Sequence, residues 1–137
     1  MSENIEEIWK EVILKGFGEG GIRYQVSNTG NIKSFAYGSR DGRILKGGNV
    51  QGYKMVAFIK NKIEKESHYV HKLVASYFLD EPREDQKYVV HKDWNKQNNT
   101  ASNLAWANKK EQQAHRNSNP DGRKIMYSKL NEEQVLN

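Results

Sequence analysis

Short runs of alternating hydrophobic and polar residues fill the first half of the chain, and this spacing is typical of β-strands. Residues 24–26 and 31–33 flank the segment Ser-Asn-Thr-Gly at 27–30, whose Asn and Gly tolerate the positive φ of a tight hairpin turn. Residues 53–59 form a longer strand-like run, and a partner strand ends near residue 70. We therefore predict a small antiparallel module over residues 22–70.

The hydrophobic period changes in the second half of the chain. One apolar face predicts a helix over residues 70–79, and it consists of Val70, Leu73, Val74, Tyr77 and Phe78. Two short strands are predicted at 87–91 and 103–107, with a polar, asparagine-rich loop between them. Asn108 and Glu111 have the spacing of a capping box, which predicts a final helix to about residue 116.

Both ends of the chain carry helical patterns. The helical spacing of Ile5, Ile8, Trp9 and Val12 predicts an opening helix, which the glycine-rich run at 16–21 ends. Asn131 is placed to cap a further helix close to the last residue, Asn137. We therefore expect a longer native chain with a C-terminal region beyond this point.

Charge and composition narrow the classes of function. The 137 residues include 22 Lys and Arg against 17 Asp and Glu, a net charge of +5, and residues 31–80 hold nine basic against four acidic side chains. A basic middle suits binding to the phosphate backbone of a nucleic acid, although an ordinary solvated surface has the same composition. The absence of cysteine excludes disulfides, thiol catalysis and Cys-ligated zinc, and it fits a cytoplasmic setting. No apolar run is long enough to span a membrane, so a membrane partner is not expected.

An ordered set of motifs occurs at residues 24–34, 70–75 (Val-His-Lys-Leu-Val-Ala), 90–93 (Val-His-Lys-Asp) and 103–106 (Asn-Leu-Ala-Trp). This set resembles that of the phage and intron-encoded HNH (His-Asn-His) homing endonucleases. The resemblance implies an α+β fold in which a small N-terminal antiparallel β module packs on a ββα-metal nuclease unit. It also implies three regions: a β-rich module at 1–65, the HNH unit at 66–118, and a linker with the start of a C-terminal DNA-binding region at 119–137.

The same resemblance implies the chemistry. In this family a neutral imidazole takes a proton from water, a divalent ion such as Mg²⁺ or Mn²⁺ neutralises charge on the phosphate, and one strand of double-stranded DNA is cut. His91 matches the general base of that family. Asn103 matches the central asparagine that ties the loop and orients the histidine.

Two departures from the family pattern concern the metal. Val90 stands directly before His91, where the family usually has a metal ligand, and Gln112 stands where it usually has His or Asn. Gln112 and His115 are the remaining metal-ligand candidates, while Glu111 is better explained as a cap and Asp93 as a brace for the loop. Trp94 also replaces a usual glycine. The alternative function is therefore a catalytically weakened or inactive HNH-fold DNA-binding protein that acts as a regulator or a blocking factor.

Basic residues around the predicted site are candidates for DNA contacts, with a solvated rim as the alternative. They are Lys54, Lys60, Lys62, Lys92, Lys96, Lys109, Lys110 and Arg116. A phage origin, which the resemblance suggests, places the protein in the cytoplasm of a bacterial host. A single ββα site favours a monomer, and the sequence leaves the DNA target and the oligomeric state open.

Overall fold

The fold is α+β, as predicted, and the part of the chain that the structure describes consists mostly of antiparallel strands with two α-helices. The computed structural model describes residues 6–14, 22–36, 39–60 and 63–120. The first sheet has the order β1-β2-β3-β4, with strands Trp9–Glu11, Tyr24–Ser27, Ile32–Ser34 and Arg43–Ile44. The second has the order β5-β6-β7, with strands Gly48–Val50, Tyr53–Ile59 and Lys65–Tyr69. Helix α1 (Val70–Phe78) then leads to a two-stranded sheet of β8 (Tyr88–His91) and β9 (Leu104–Ala107), followed by helix α2 (Lys109–Asn117).

The predicted hairpin of β2 and β3 is present. Val26 pairs with Ile32 and Tyr24 pairs with Ser34, so the apolar side chains of both strands point to the core side of the sheet. Gly30 has a φ of 91°, a left-handed conformation that costs glycine little and other residues more. The turn at 27–30 is therefore set by its own residues.

The predicted opening helix is wrong. Trp9–Glu11 is a strand whose residues pair with 25–27 of β2, and the Lys33 ammonium group lies 4.1 Å from the centroid of the Trp9 ring. The apolar run was too short to distinguish a helix from a strand, and the free edge of β2 offers backbone hydrogen bonds that an isolated helical turn lacks. Ile5, the glycine-rich run at 16–21 and the predicted cap Asn131 lie outside the described residues.

Helix α1 joins the three sheets through one hydrophobic core. Val70, Leu73 and Val74 are buried in a cluster that also contains Val26 of β2, Phe58 of β6 and Leu104 of β9. The predicted inner face is confirmed for Leu73 and Val74. Its C-terminal part is less buried than predicted, because Tyr77 and Phe78 lie at the edge of the core against the segment 10–13.

The predicted strand–loop–strand–helix unit is present. His91 pairs with Leu104 across β8 and β9, which places the ends of the polar loop side by side. The capping box at the start of α2 is confirmed, since the Asn108 side chain accepts from the Glu111 amide and the Glu111 carboxylate accepts from the Asn108 amide. Within the described residues, no helix has the length and apolar character needed to span a membrane.

Candidate active site

His91 ends strand β8 and is almost fully enclosed, with a relative exposure of 5%. Its Nε2 lies 2.7 Å from Oδ1 of Asn99, which is 4% exposed. Because an amide oxygen only accepts hydrogen bonds, Nε2 carries the proton and donates it, so Nδ1 is the unprotonated nitrogen of the neutral ring. The imidazole is thus held in the tautomer whose Nδ1 can accept a proton.

Burial lowers the pKa of His91 below its usual value. The Asn99 hydrogen bond and the Asp93 carboxylate oppose this shift, while the charges of Lys96 and His115 add to it. The net direction is downward, so the ring is neutral at pH 7. A neutral imidazole is the state that a general base requires.

The Asn103 side chain makes three hydrogen bonds within the polar loop. Its Oδ1 accepts from the Asp93 amide at 3.1 Å, and its Nδ2 donates to Asp93 Oδ1 and to the Asn98 carbonyl, both at 2.9 Å. Asp93 also accepts from Asn95 N and Asn98 Nδ2, and the Asn98 hydrogen bond is the largest influence that holds the pKa of this carboxyl below its usual range. Asp93 is therefore occupied as a brace.

Asn99, rather than Asn103, makes the side-chain contact with the imidazole. Sequence reasoning missed this role, although Asn99 lies in the asparagine-rich loop only eight residues after His91. Asn103 acts one step away by fixing the loop in which Asn99 sits. Asn103 stays a prediction as a functional residue.

Trp94 and His115 connect the loop to helix α2. The two rings stack with centroids 4.8 Å apart and planes 11° apart, and Trp94 Nε1 donates to the His115 carbonyl at 2.8 Å. His115 Nε2 lies 2.6 Å from the His91 carbonyl oxygen, to which it donates. Trp94 has a φ of 60°, so the residue that replaces the family's glycine adopts the conformation that favours glycine.

A cavity of about 420 Å³ lies beside His91. It brings together residues from the β5–β6 hairpin, from the end of β8 with the following loop, and from α2. They include Gln51, Tyr53, Val90, His91, Trp94, Lys96, Gln112, His115 and Arg116. The hairpin is tied to the loop because Lys96 Nζ donates to the Gln51 carbonyl at 3.1 Å and lies 4.5 Å from the centroid of the Tyr53 ring.

The lining of this cavity does not fit a divalent ion held by the protein alone. Val90 contributes no donor atom, the Nε2 of His115 is bonded to a backbone carbonyl, and Gln112 offers one neutral oxygen. No group of three His, Cys, Asp or Glu within the described part of the chain has the geometry of a metal site. Glu111, the nearest carboxylate on α2, is occupied by its cap and by Arg83.

The predicted DNA-contact residues fall into two groups. Lys96 and Arg116 line the cavity, and Lys92, Lys109 and Lys110 are exposed on the same ββα unit. Lys60 forms an ion pair with Glu64 at 3.8 Å, and Lys54 is half-buried on β6. Lys62 lies outside the described residues.

Three comparisons with known proteins give matches to this chain. The NUMOD4 motif matches residues 7–59. The chain is 35% identical over 127 residues to an uncharacterised HNH endonuclease of Acanthamoeba polyphaga mimivirus, which covers 93% of this chain and 34% of that protein. It is 40% identical over 103 residues to the DNA endonuclease I-HmuI of Bacillus phage SP01. That match covers 74% of this chain and 53% of the phage protein.

The solved structure of the HNH homing endonuclease I-HmuI, described as showing DNA binding and cleavage, resembles this fold with a TM-score of 0.64 at 32% identity. The match covers 88% of this chain and 66% of that one. The chain spans about a third to a half of the length of the two relatives named above. On these motifs, sequences and coordinates together, the chain is similar to HNH endonucleases over most of its length and carries an NUMOD4 motif.

Proposed function

We propose that this protein is a DNA endonuclease that cuts one strand of double-stranded DNA, with His91 as the general base. The observation that carries the proposal is the Asn99–His91 hydrogen bond beside the cavity, which holds a neutral imidazole with Nδ1 free to accept a proton. The name of the phage relative supports DNA as the substrate. Asn103 supports the same site by bracing its loop.

The reaction follows from these groups. Nδ1 of His91 takes a proton from a water molecule while the water oxygen attacks the phosphorus atom of the DNA backbone. The bond between phosphorus and the leaving 3′ oxygen breaks, and that oxygen takes a proton from solvent. The cationic side chains of Lys96 and Arg116 line the same cavity, where they attract the phosphate and offset its negative charge.

A divalent ion, either Mg²⁺ or Mn²⁺, belongs to the proposal only as a family property. Among the described residues Gln112 is the one side chain at the expected ligand positions that offers an oxygen. The proposal therefore places no step on protein-held metal. It also includes the division at residues 65 and 118, a monomeric state, and the cytoplasm of a bacterial host as the place of action.

The second candidate is an HNH-fold protein that binds DNA without cutting it. Val90, and the absence of a carboxylate among the described residues that line the cavity, favour this candidate. The relatives named as endonucleases favour the first. The two functions differ in one measurable product, a nicked DNA strand.

The test is incubation of supercoiled plasmid with the protein in Mg²⁺ or Mn²⁺. We expect the wild type to produce open-circular plasmid and His91→Ala to produce none. His68→Ala is the matched control, because His68 lies on β7 against Glu66 and away from the cavity. Absence of nicking by the wild type, together with a gel shift of the plasmid, would support the second candidate instead.

A further inference from the structure

The hairpin of the N-terminal module touches the loop of the nuclease unit. A Cβ atom at Gly30 would lie 2.8 Å from Cβ of Asn99 and 3.1 Å from its carbonyl oxygen, so no other residue fits without displacing that asparagine. Close to this contact, the Ala101 amide donates to the Asn28 carbonyl at 2.7 Å. The two backbones are therefore in direct contact at Asn99.

This hairpin is itself fixed by the segment before β1. The Glu7 carboxylate accepts from Ser27 Oγ and Asn31 Nδ2, both at 2.7 Å, and from the Thr29 hydroxyl. The Asn28 side chain accepts from the Ile8 amide at 2.7 Å. The hairpin turn that contacts Asn99 is thus held in place by side-chain hydrogen bonds to the segment before β1.

We infer that the Gly30 hairpin is a positioning element for His91 that acts through Asn99, an inference that rests on the proposed role of His91. Asn99 is buried, and its Oδ1 accepts from His91 Nε2 at 2.7 Å. A shift of the Asn99 backbone by half an ångström or more would stretch this bond towards the limit of hydrogen-bond geometry. The NUMOD4 motif then contributes to the orientation of the base as well as to the fold.

Gly42 provides a matched comparison for Gly30, because the two glycines share a positive φ but have different neighbours. Gly42 also has a positive φ, of 80°, yet a Cβ there would meet the Phe35 ring and the Lys33 stem rather than the loop. Gly30→Ala and Gly42→Ala therefore impose similar backbone strain, and only the first inserts an atom against Asn99. The pair separates loss of stability from loss of positioning.

The kinetic test measures single-turnover nicking and DNA affinity at a temperature where every variant is folded. We expect Gly30→Ala to slow nicking by about tenfold or more with DNA affinity within twofold, because a displaced catalytic group lowers the rate without removing phosphate contacts. Gly42→Ala should keep the wild-type rate. Gly30→Ala combined with Asn99→Ala should be no slower than Asn99→Ala alone, since the two changes act on the same hydrogen bond.

A second readout does not need activity. In ¹⁵N NMR spectra of the histidine rings, with His91→Ala used for assignment, we expect a pure Nε2–H tautomer for His91 in the wild type and in Gly42→Ala, and a mixture in Gly30→Ala. If Gly30→Ala does not fold, Glu7→Ala loosens the hairpin without added bulk and should give the same change. A wild type that does not nick would overturn the proposed function alone. An unchanged His91 tautomer in a folded Gly30→Ala or Glu7→Ala protein would overturn the role of the hairpin.

Discussion

His71 is a buried histidine that takes no part in the proposed chemistry. Its ring lies 5.1 Å from that of His91 and 5.0 Å from that of Tyr53, and its Nδ1 is buried with no hydrogen-bond partner among the described residues. Burial lowers the pKa of His71 to about 4, and the nearby charges of His91 and Lys72 act in the same direction. The side chain is therefore a neutral residue of the core.

This shift predicts a loss of stability in mild acid. The pKa of His71 is about 4 in the folded protein and about 6.5 for an ordinary histidine, so the unfolded chain binds more protons between these limits. Stability is complete above pH 6.5 and falls as the pH drops towards 4, by roughly 3 kcal/mol at about 1.4 kcal/mol per pKa unit. Urea denaturation of the wild type and of His71→Phe at pH 7 and pH 4.5 measures the effect. Equal losses in both proteins would contradict the assignment to His71.

Val90 is the residue at which a carboxylate is expected to strengthen the site. Val90→Asp places an oxygen ligand next to His91, and we expect nicking to rise by about tenfold and to need less Mn²⁺. The rate as a function of Mn²⁺ concentration measures both effects. Val90→Asp combined with His91→Ala is the control and should be inactive, whereas an unchanged Mn²⁺ dependence in Val90→Asp alone would argue against a cation at this position.

The residue-level predictions succeeded where a spacing specifies the partner. The capping box of Asn108 and Glu111 requires only local geometry, and the sequence predicted it correctly. The partner of His91 is different, because several asparagines compete within the loop and the folded path of that loop decides which amide reaches the ring. Asn99 reaches it, while Asn103 is turned towards Asp93.

At the scale of elements, the attachment of α2 to β8 rests on His115. The stack on Trp94 and the bond to the His91 carbonyl join the helix to the strand end. We expect His115→Ala to lower the free energy of unfolding by about 1–2 kcal/mol, the sum of an aromatic pair and a hydrogen bond. Chemical denaturation measures this loss.

The same variant separates attachment from metal binding. If His115 serves as an attachment, His115→Ala should leave the half-saturating Mn²⁺ concentration for nicking unchanged, and Gln112→Ala should raise it. A half-saturating Mn²⁺ concentration that is higher in His115→Ala than in Gln112→Ala would instead indicate that His115 is the metal ligand.

Elements with a long apolar face could be predicted, and short ones could not. The face of α1 spans two turns and allows one interpretation, whereas the run around Trp9 fits a helix or a strand equally. The choice was made by a contact far along the chain, the pairing of Trp9–Glu11 with β2. The contact of the Gly30 hairpin with Asn99 is equally remote in sequence and has no local pattern.

At the scale of the whole molecule, the positive charge predicts affinity for DNA that depends on salt. We expect binding to weaken steeply between about 50 and 200 mM NaCl, since each phosphate contact releases counterions. The combined variant Lys96→Ala and Arg116→Ala should lower the slope of log affinity against log salt by about 2. Lys60→Ala is the matched control, because that ammonium group already faces Glu64. Fluorescence anisotropy on a labelled duplex measures the slopes, and equal slopes would contradict a DNA-contact role for the cavity cations.

The first two proposed regions, 1–65 and 66–118, pack together more closely than their sequence boundary suggests. The predicted division at residue 65 separates β6 from β9 in the chain, yet Phe58 and Leu104 share one buried cluster with the face of α1. A core shared between two regions depends on tertiary packing, so it could not be predicted from the composition of either region. The division stays a prediction.

The β5–β6 hairpin forms one wall of the cavity, and this has a consequence for recombination between genes that encode related proteins. Gln51 and Tyr53 of this hairpin are encoded well upstream of His91. Lys96 and Gln97, which follow His91, donate hydrogen bonds to the hairpin. A crossover between the two coding segments would deliver a histidine and its loop without the opposite wall. Exchange that preserves the cavity must therefore carry both segments together, or must find a recipient whose hairpin already complements the loop.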